Sequence, residues 1–238
     1  MKKFILCFCL ILCLAGCGNR KNANEIIDDA ERCVSVNPDS ALKILSEIKE
    51  PQNLTDSIKA KYWLTIGQAH SNKDVSMYRD SLLAYSLQYY NNEHPDNYKY
   101  RIKAHYLYSK YLYLQNKKQE AINLLKSALA NSNDVDSKKM LLNALVEFSG
   151  TDGTGNFSDQ IKYLHQLIAI DDNTENMLRY QNALAMGYYY LNDRNNVYRI
   201  YDNISHYIKT PQDSIFAWDV VWVNYADFSA DFGDYEKA

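Results

Sequence analysis

Glycine and proline are scarce, at eight and four in 238 residues. Sheets draw on both for hairpins and bulges, so the shortage argues against a strand-rich fold and for an all-α one. Pro38, Pro51, Pro95 and Pro211 fall between periodic apolar stretches, as punctuation at helix ends. Cysteine is nearly absent beyond the start: four of the five stand at positions 7, 9, 13 and 17, leaving Cys33 on an apolar helical stripe, where a small core residue is expected. His70, His94, His105, His165 and His206 show no HExxH or paired Cys/His spacing, so no metal is expected. There is no excess of base, the formal charge being −3, which argues against a nucleic-acid partner. Asp28-Asp29 and Asp171-Asp172 are neighbours near helix ends, where solvated or dipole-complementing acids are ordinary. With no Ser, His and acid constellation either, the expectation is a protein that is not an enzyme and carries no cofactor.

The opening MKKFILCFCLILCLAGC pairs Lys2 and Lys3 with an apolar run from Phe4 to Leu14. That run falls short of the roughly 20 residues needed to cross a bilayer and is followed by small residues, so residues 1–16 read as a secretory signal. Leu14-Ala15-Gly16-Cys17 resembles the lipobox of bacterial lipoproteins, in which the chain is cut before the cysteine and its sulfur receives a diacylglyceryl group. The resemblance implies a lipidated Cys17 and a membrane-anchored lipoprotein of the bacterial cell envelope, at the outer membrane or facing the periplasm. Residues 17–23, polar and unpatterned, would be the tether. Loss of Lys2 and Lys3 with the signal would take the formal charge from −3 to −5.

From residue 24 onward the chain is periodic. A helix is expected over 24–36, stopped by Asn37-Pro38-Asp39-Ser40, which also starts the next. Within residues 103–130, Ser109 stands twelve before Ala121, and Ala121 seven before Ala128; at the C-terminus Ala226 stands twelve before Ala238, with Gly233-Asp234-Tyr235 in place of Asn116-Lys117-Lys118. Each copy reads as helix, turn, helix. These spacings resemble the tetratricopeptide repeat (TPR), whose small residues mark the points where paired helices cross closely. Counting eighth positions of the first helices gives Gly67, Ser109, Phe148, Gly187 and Ala226, with a period of about 39 residues in place of the usual 34. Helical pairs of the HEAT type compete at that length. Phe148 breaks the small-residue rule, and Arg199 and His206 stand where alanines are expected.

The resemblance implies a right-handed α-α solenoid over residues 24–238, its last repeat incomplete after Gly233-Asp-Tyr-Glu-Lys-Ala238. It also implies a binding groove lined by the second, fifth, ninth and twelfth positions of the first helices. Carried over, these are Lys61, Leu64, Gln68 and Ser71, then Lys103, Tyr106, Lys110 and Tyr113, then Gln181, Leu184, Tyr188 and Leu191. The ninth positions do not reproduce the family's carboxylate clamp. The Gly-rich Ser149–Gly155 lacks the Lys-Ser/Thr of a P-loop and reads as a loop between helices. With 21 Tyr against seven Phe, many rings are expected to pack their bodies and show their hydroxyls. The expected function is a scaffold binding a protein or peptide partner. PDSALKIL resembles the first repeat of secreted bacterial TPR lipoproteins, whose longer members make a sensory ectodomain of a signalling protein the second expectation. Glycan binding by the tyrosines is a third.

Overall fold

A computed structural model describes residues 21–72, 80–94, 97–150, 155–207 and 218–236. The signal, Cys17 and Ala238 lie outside the described residues, among which every regular element is helical. The chain divides into two compact units, one ending at Asn97 and the other beginning at Tyr98.

In the first unit, α1 (Ala23–Cys33) and α2 (Pro38–Leu45) form one pair. Asn22 and Glu25 make a reciprocal capping box, which starts α1 one residue ahead of the sequence expectation. Asn37 caps α2 by accepting from the Ser40 N–H, with Pro38 in the first turn. A short 3₁₀ turn at Pro51–Asn53 leads to α3 (Asp56–Ser71), followed by α4 (Asp80–Gln88), which ends in a π-helical turn at Tyr89–Glu93. Ile27, Ala30, Val34, Ala41, Leu45, Tyr62 and Ala69 make the core. Cys33 is half-buried beside it, Sγ 3.4 Å from the Ala30 carbonyl, as a small core thiol. Trp63 packs on the same core, edge-on to Tyr62 at 4.7 Å. Gly67 performs the expected steric role: a Cβ there would stand 2.5 Å from Leu83 Cδ2, so α3 and α4 close on each other at that point.

The second unit runs through α5 (Tyr98–Leu114), α6 (Lys118–Ala130), α7 (Val135–Gly150), α8 (Phe157–Ile170), α9 (Thr174–Tyr190), α10 (Arg194–Tyr207) and α11 (Trp218–Asp231). From α5 to α10 each helix packs on the next, and α5 also reaches α7, the first helix of the following pair. That neighbour pattern belongs to stacked helix pairs. Of the stretch read as a loop, Ser149 and Gly150 are instead the last residues of α7 and residues 151–154 lie outside the described residues; the Gly155 backbone folds onto the Ser149 carbonyl so closely that a Cβ would meet it at 2.3 Å.

Three turns set the register of this unit. Asn116, Asn192 and Gly233 have φ of 60°, 56° and 77°, the left-handed conformation that Gly and Asn tolerate best. At each, the next residue's N–H reaches five residues back, from Lys117 to Leu112 (2.9 Å), Asp193 to Tyr188 (2.9 Å) and Asp234 to Ser229 (2.8 Å). All three are Schellman closures of a first helix. Aligned on them, Ser109 corresponds to Ala185 and Ala226, so the even 39-residue count places Gly187 two residues late. Ala185 is fully buried, whereas Gly187 faces Ile161 of the preceding pair. The same correction accounts for Arg199 and His206, both exposed: Val197 and Ile204, fully buried, occupy the places of Ala121 and Ala128.

Phe148 also leaves the small-residue position. It receives the ring of Tyr113 at 4.1 Å between centroids, as Phe228 receives Tyr189 at 4.2 Å, and each is followed by a buried serine, Ser149 or Ser229. Phe148 thus matches Phe228, and Val146 matches Ala226.

Asp171, read as an ordinary helix-end acid, is buried and bound from four sides. Oδ1 accepts from Lys139 Nζ (2.8 Å) and the Asn173 N–H (3.2 Å); Oδ2 accepts from Asn176 Nδ2 (3.0 Å) and Tyr180 OH (3.1 Å). Burial by itself would raise its pKa, but Lys139 and the other donors outweigh it and hold the carboxyl below its usual value. It joins α7, the α8–α9 connection and α9. Asp28 differs likewise, pairing with Lys61 of α3, and Asp29 pairs with Lys21 and Arg32.

Candidate binding face

The residues expected to line a groove fall into two sets, since Lys61, Leu64, Gln68 and Ser71 lie in the first unit and the others in the second; Leu64, Ser71 and Leu184 are buried in the packing and line no open face. Lys61 pairs with Asp28 and with Glu31 at 3.5 Å, so its charge is used inside the unit. Gln68 donates weakly from Nε2 to Ser35 Oγ at 3.4 Å, while its Oε1 is buried with no hydrogen-bond partner among the described residues.

On α5, Lys103, Tyr106, Lys110 and Tyr113 recur at helical spacing and are all half-exposed, between the buried Ile102, Ala104, Leu107, Ser109 and Leu112. Lys110 Nζ stands 5.7 Å from the centre of the Tyr106 ring, and Lys103 Nζ 5.6 Å from that of Tyr100, both within cation–π range. His105, on the buried side, is pushed down in pKa by burial and carries its ring Nδ1 2.8 Å from the Arg101 carbonyl.

On α9 the stripe shifts. Tyr188 leans toward α8, its hydroxyl 3.4 Å from His165 Nε2, and Gln181 Oε1 is buried with no hydrogen-bond partner among the described residues. Tyr189 is the counterpart of Tyr113, and its hydroxyl donates to Asp231. In the register of the turns, the second, fifth and ninth positions become Arg179, Asn182 and Met186. Asn182 is buried, accepting from Tyr201 OH (3.0 Å) and Asn224 Nδ2 (3.4 Å), while Arg179 and Met186 are exposed. Burial raises the pKa of the Tyr201 hydroxyl, keeping it a donor. The same positions on α7 are Met140, Asn143 and Glu147, and on α11 Val220, Val223 and Asp227. All six are half-exposed or exposed.

Sequence counting missed the α7 members, and the signal for them was the repeated Phe-Ser of Phe148-Ser149 and Phe228-Ser229. Several tyrosine rings already spend a face on another ring: Tyr113 on Phe148, Tyr189 on Phe228 and Tyr190 on Phe157 at 4.4 Å. Trp222 lies edge-on to Tyr225 at 5.9 Å. Among the described residues no group of three or more His, Cys, Asp or Glu is placed to hold a metal ion, and no helix is long and apolar enough to cross a membrane.

This arrangement is a TPR-like helical-repeat fold, an α-α solenoid of helix pairs. Two crystal structures of the nearly identical TPR-like repeats assigned to a kinesin light chain of Podosopora anserina are similar to it. One has a TM-score of 0.57 at 16% identity, covering 77% of this chain and 92% of that one. The other has a TM-score of 0.58 at 15% identity, covering 79% and 96%. No protein-family model and no curated protein matches the chain.

Proposed function

We propose that this protein is a lipid-anchored scaffold of the bacterial cell envelope, which binds a protein or peptide segment on the first-helix face of its array and performs no catalysis. The observation that carries the binding half is the stripe on α5: Lys103, Tyr106 and Lys110 stand half-exposed at helical spacing while the intervening residues fill the core. A tyrosine held on a packed helix contributes contact area at little cost in ordering, and the lysines beside Tyr100 and Tyr106 add charge to it. The anchoring half rests on Leu14-Ala15-Gly16-Cys17.

Binding is tested by recovery of envelope proteins on the immobilised protein and on its Tyr106→Ala, Lys110→Ala double variant. Tyr113 is kept, because its ring supports Phe148. Equal recovery by the two would remove the face from consideration. Anchoring is tested in cells expressing wild type or Cys17→Ser. With a labelled fatty acid supplied to the cells, label is expected on the wild type and none on the variant, and an unlabelled wild type would refute the anchor.

A further inference from the structure

Charge in the second unit is sorted along one layer of helices. α5 carries Lys99, Arg101, Lys103 and Lys110 with no acid, whereas α11 carries Asp219, Asp227 and Asp231 with no base. Between them α7 and α9 are balanced, with Asp136 and Glu147 against Lys138 and Lys139, and Glu175 against Arg179. The second helices α6, α8 and α10 show no such trend, each mixing both signs. Solubility is served by mixed signs and does not call for a gradient restricted to first helices. On this stripe, half-exposed Lys110 and exposed Asp227 mark the two ends, and neither makes an ion pair among the described residues. Met140, Met186, Val220 and Val223 supply apolar surface between and beside them, with Val220 and Val223 45% and 56% exposed.

We propose that this face binds an extended protein segment with separated charges, its acidic end over α5, an apolar middle over α7 and α9, and its basic end over α11. The proposal rests on the scaffold reading and names the chemistry of the partner. Opposite charges at the two ends fix the direction of the segment, because the reversed placement sets like charges face to face. The methionines suit an apolar middle whose side chains vary. Three steps between neighbouring first helices, at about 9–10 Å each, are spanned by an extended chain of roughly nine residues.

The test uses the purified protein and two fluorescent peptides of about a dozen residues and one composition. One has glutamates at one end, Leu and Met in the middle and lysines at the other end; its control alternates the charges. Anisotropy is expected to show the sorted peptide binding about tenfold tighter, with Lys110→Glu and Asp227→Lys each weakening it severalfold and leaving helical content unchanged. Equal binding of the two peptides, or sorted-peptide affinity that neither substitution alters, overturns the proposal. Self-association that rises with concentration and is abolished by either charge reversal also overturns it, assigning the face to a second copy. If an envelope protein is retained equally by wild type and both charge variants, yet lost with Tyr106→Ala, Lys110→Ala, the sorted-charge proposal fails while the scaffold reading stands.

Discussion

Replacing Asp171 with Asn keeps the shape of the side chain and removes its charge. The site offers four donors to two carboxylate oxygens, two at each. An amide presents one oxygen, so either Lys139 and the Asn173 N–H or Asn176 and Tyr180 must face an NH₂ group that cannot accept. Hydrogen bonds to a charged group contribute about 1.5–3 kcal/mol each, and Lys139, whose side chain is 25% exposed, recovers part of its loss by turning to water. The expected cost is about 3 kcal/mol at pH 7, in the range found when one partner of a buried pair is removed. The folded-state pKa of Asp171 lies below its ordinary 3.8. Its contribution is therefore present above that value and lost as pH falls through the folded pKa. Urea unfolding of wild type and Asp171→Asn, followed by far-ultraviolet circular dichroism at pH 7 and at pH 3, should show a gap that narrows on acidification. A gap below about 0.5 kcal/mol at pH 7, or one of equal size at both pH values, would refute the account of Asp171 as a charged tie.

Gly67→Ala should destabilise by about 1–3 kcal/mol, since the new methyl meets Leu83, which is buried and cannot swing away. Gly150→Ala should lie within about 0.5 kcal/mol of wild type, because the obstructing group is the end of the half-exposed Gln160 and the helix gains propensity; urea midpoints compare the two. Asn192→Gly should leave stability level or slightly raised, whereas Asn192→Val should cost about 1–2 kcal/mol at φ 56°, read from thermal midpoints. Phe148→Ala should cost about 3–5 kcal/mol, with loss of near-ultraviolet dichroism as Tyr113 loses its stacking partner.

The helical class, the first-helix and second-helix alternation and the α5 stripe were legible because they rest on local periodicity and turn residues. Asn116 and Gly233 marked their turns directly, and Gly67 marked a close crossing. Register was harder. An even period fits Ser109 and Ala226, whereas the pairs between them differ in length, so Gly187 and Phe148 were placed in positions that Ala185 and Val146 hold. Asn192 carried the correction, as the third left-handed residue, but an asparagine in a chain with many gives no sign of its φ. Asp171 was misread for a different reason. Its donors come from α7, from its own connection and from α9, and no spacing in sequence announces a contact assembled from Lys139, Asn176 and Tyr180.

The two edge-on contacts between a tryptophan and a tyrosine among the described residues give each unit its own optical reporter. Trp63 packs edge-on against Tyr62 in the first unit, and Trp222 against Tyr225 in the second. Indole emission moves to longer wavelength when packing gives way to water, so with tryptophan excited selectively Trp63 gauges the assembly of the first unit, and Trp218 and Trp222 that of the second. With Trp63→Phe the remaining emission reports on Tyr98 onward alone. Melting of the two units can then be timed separately in the intact chain, with no dye attached.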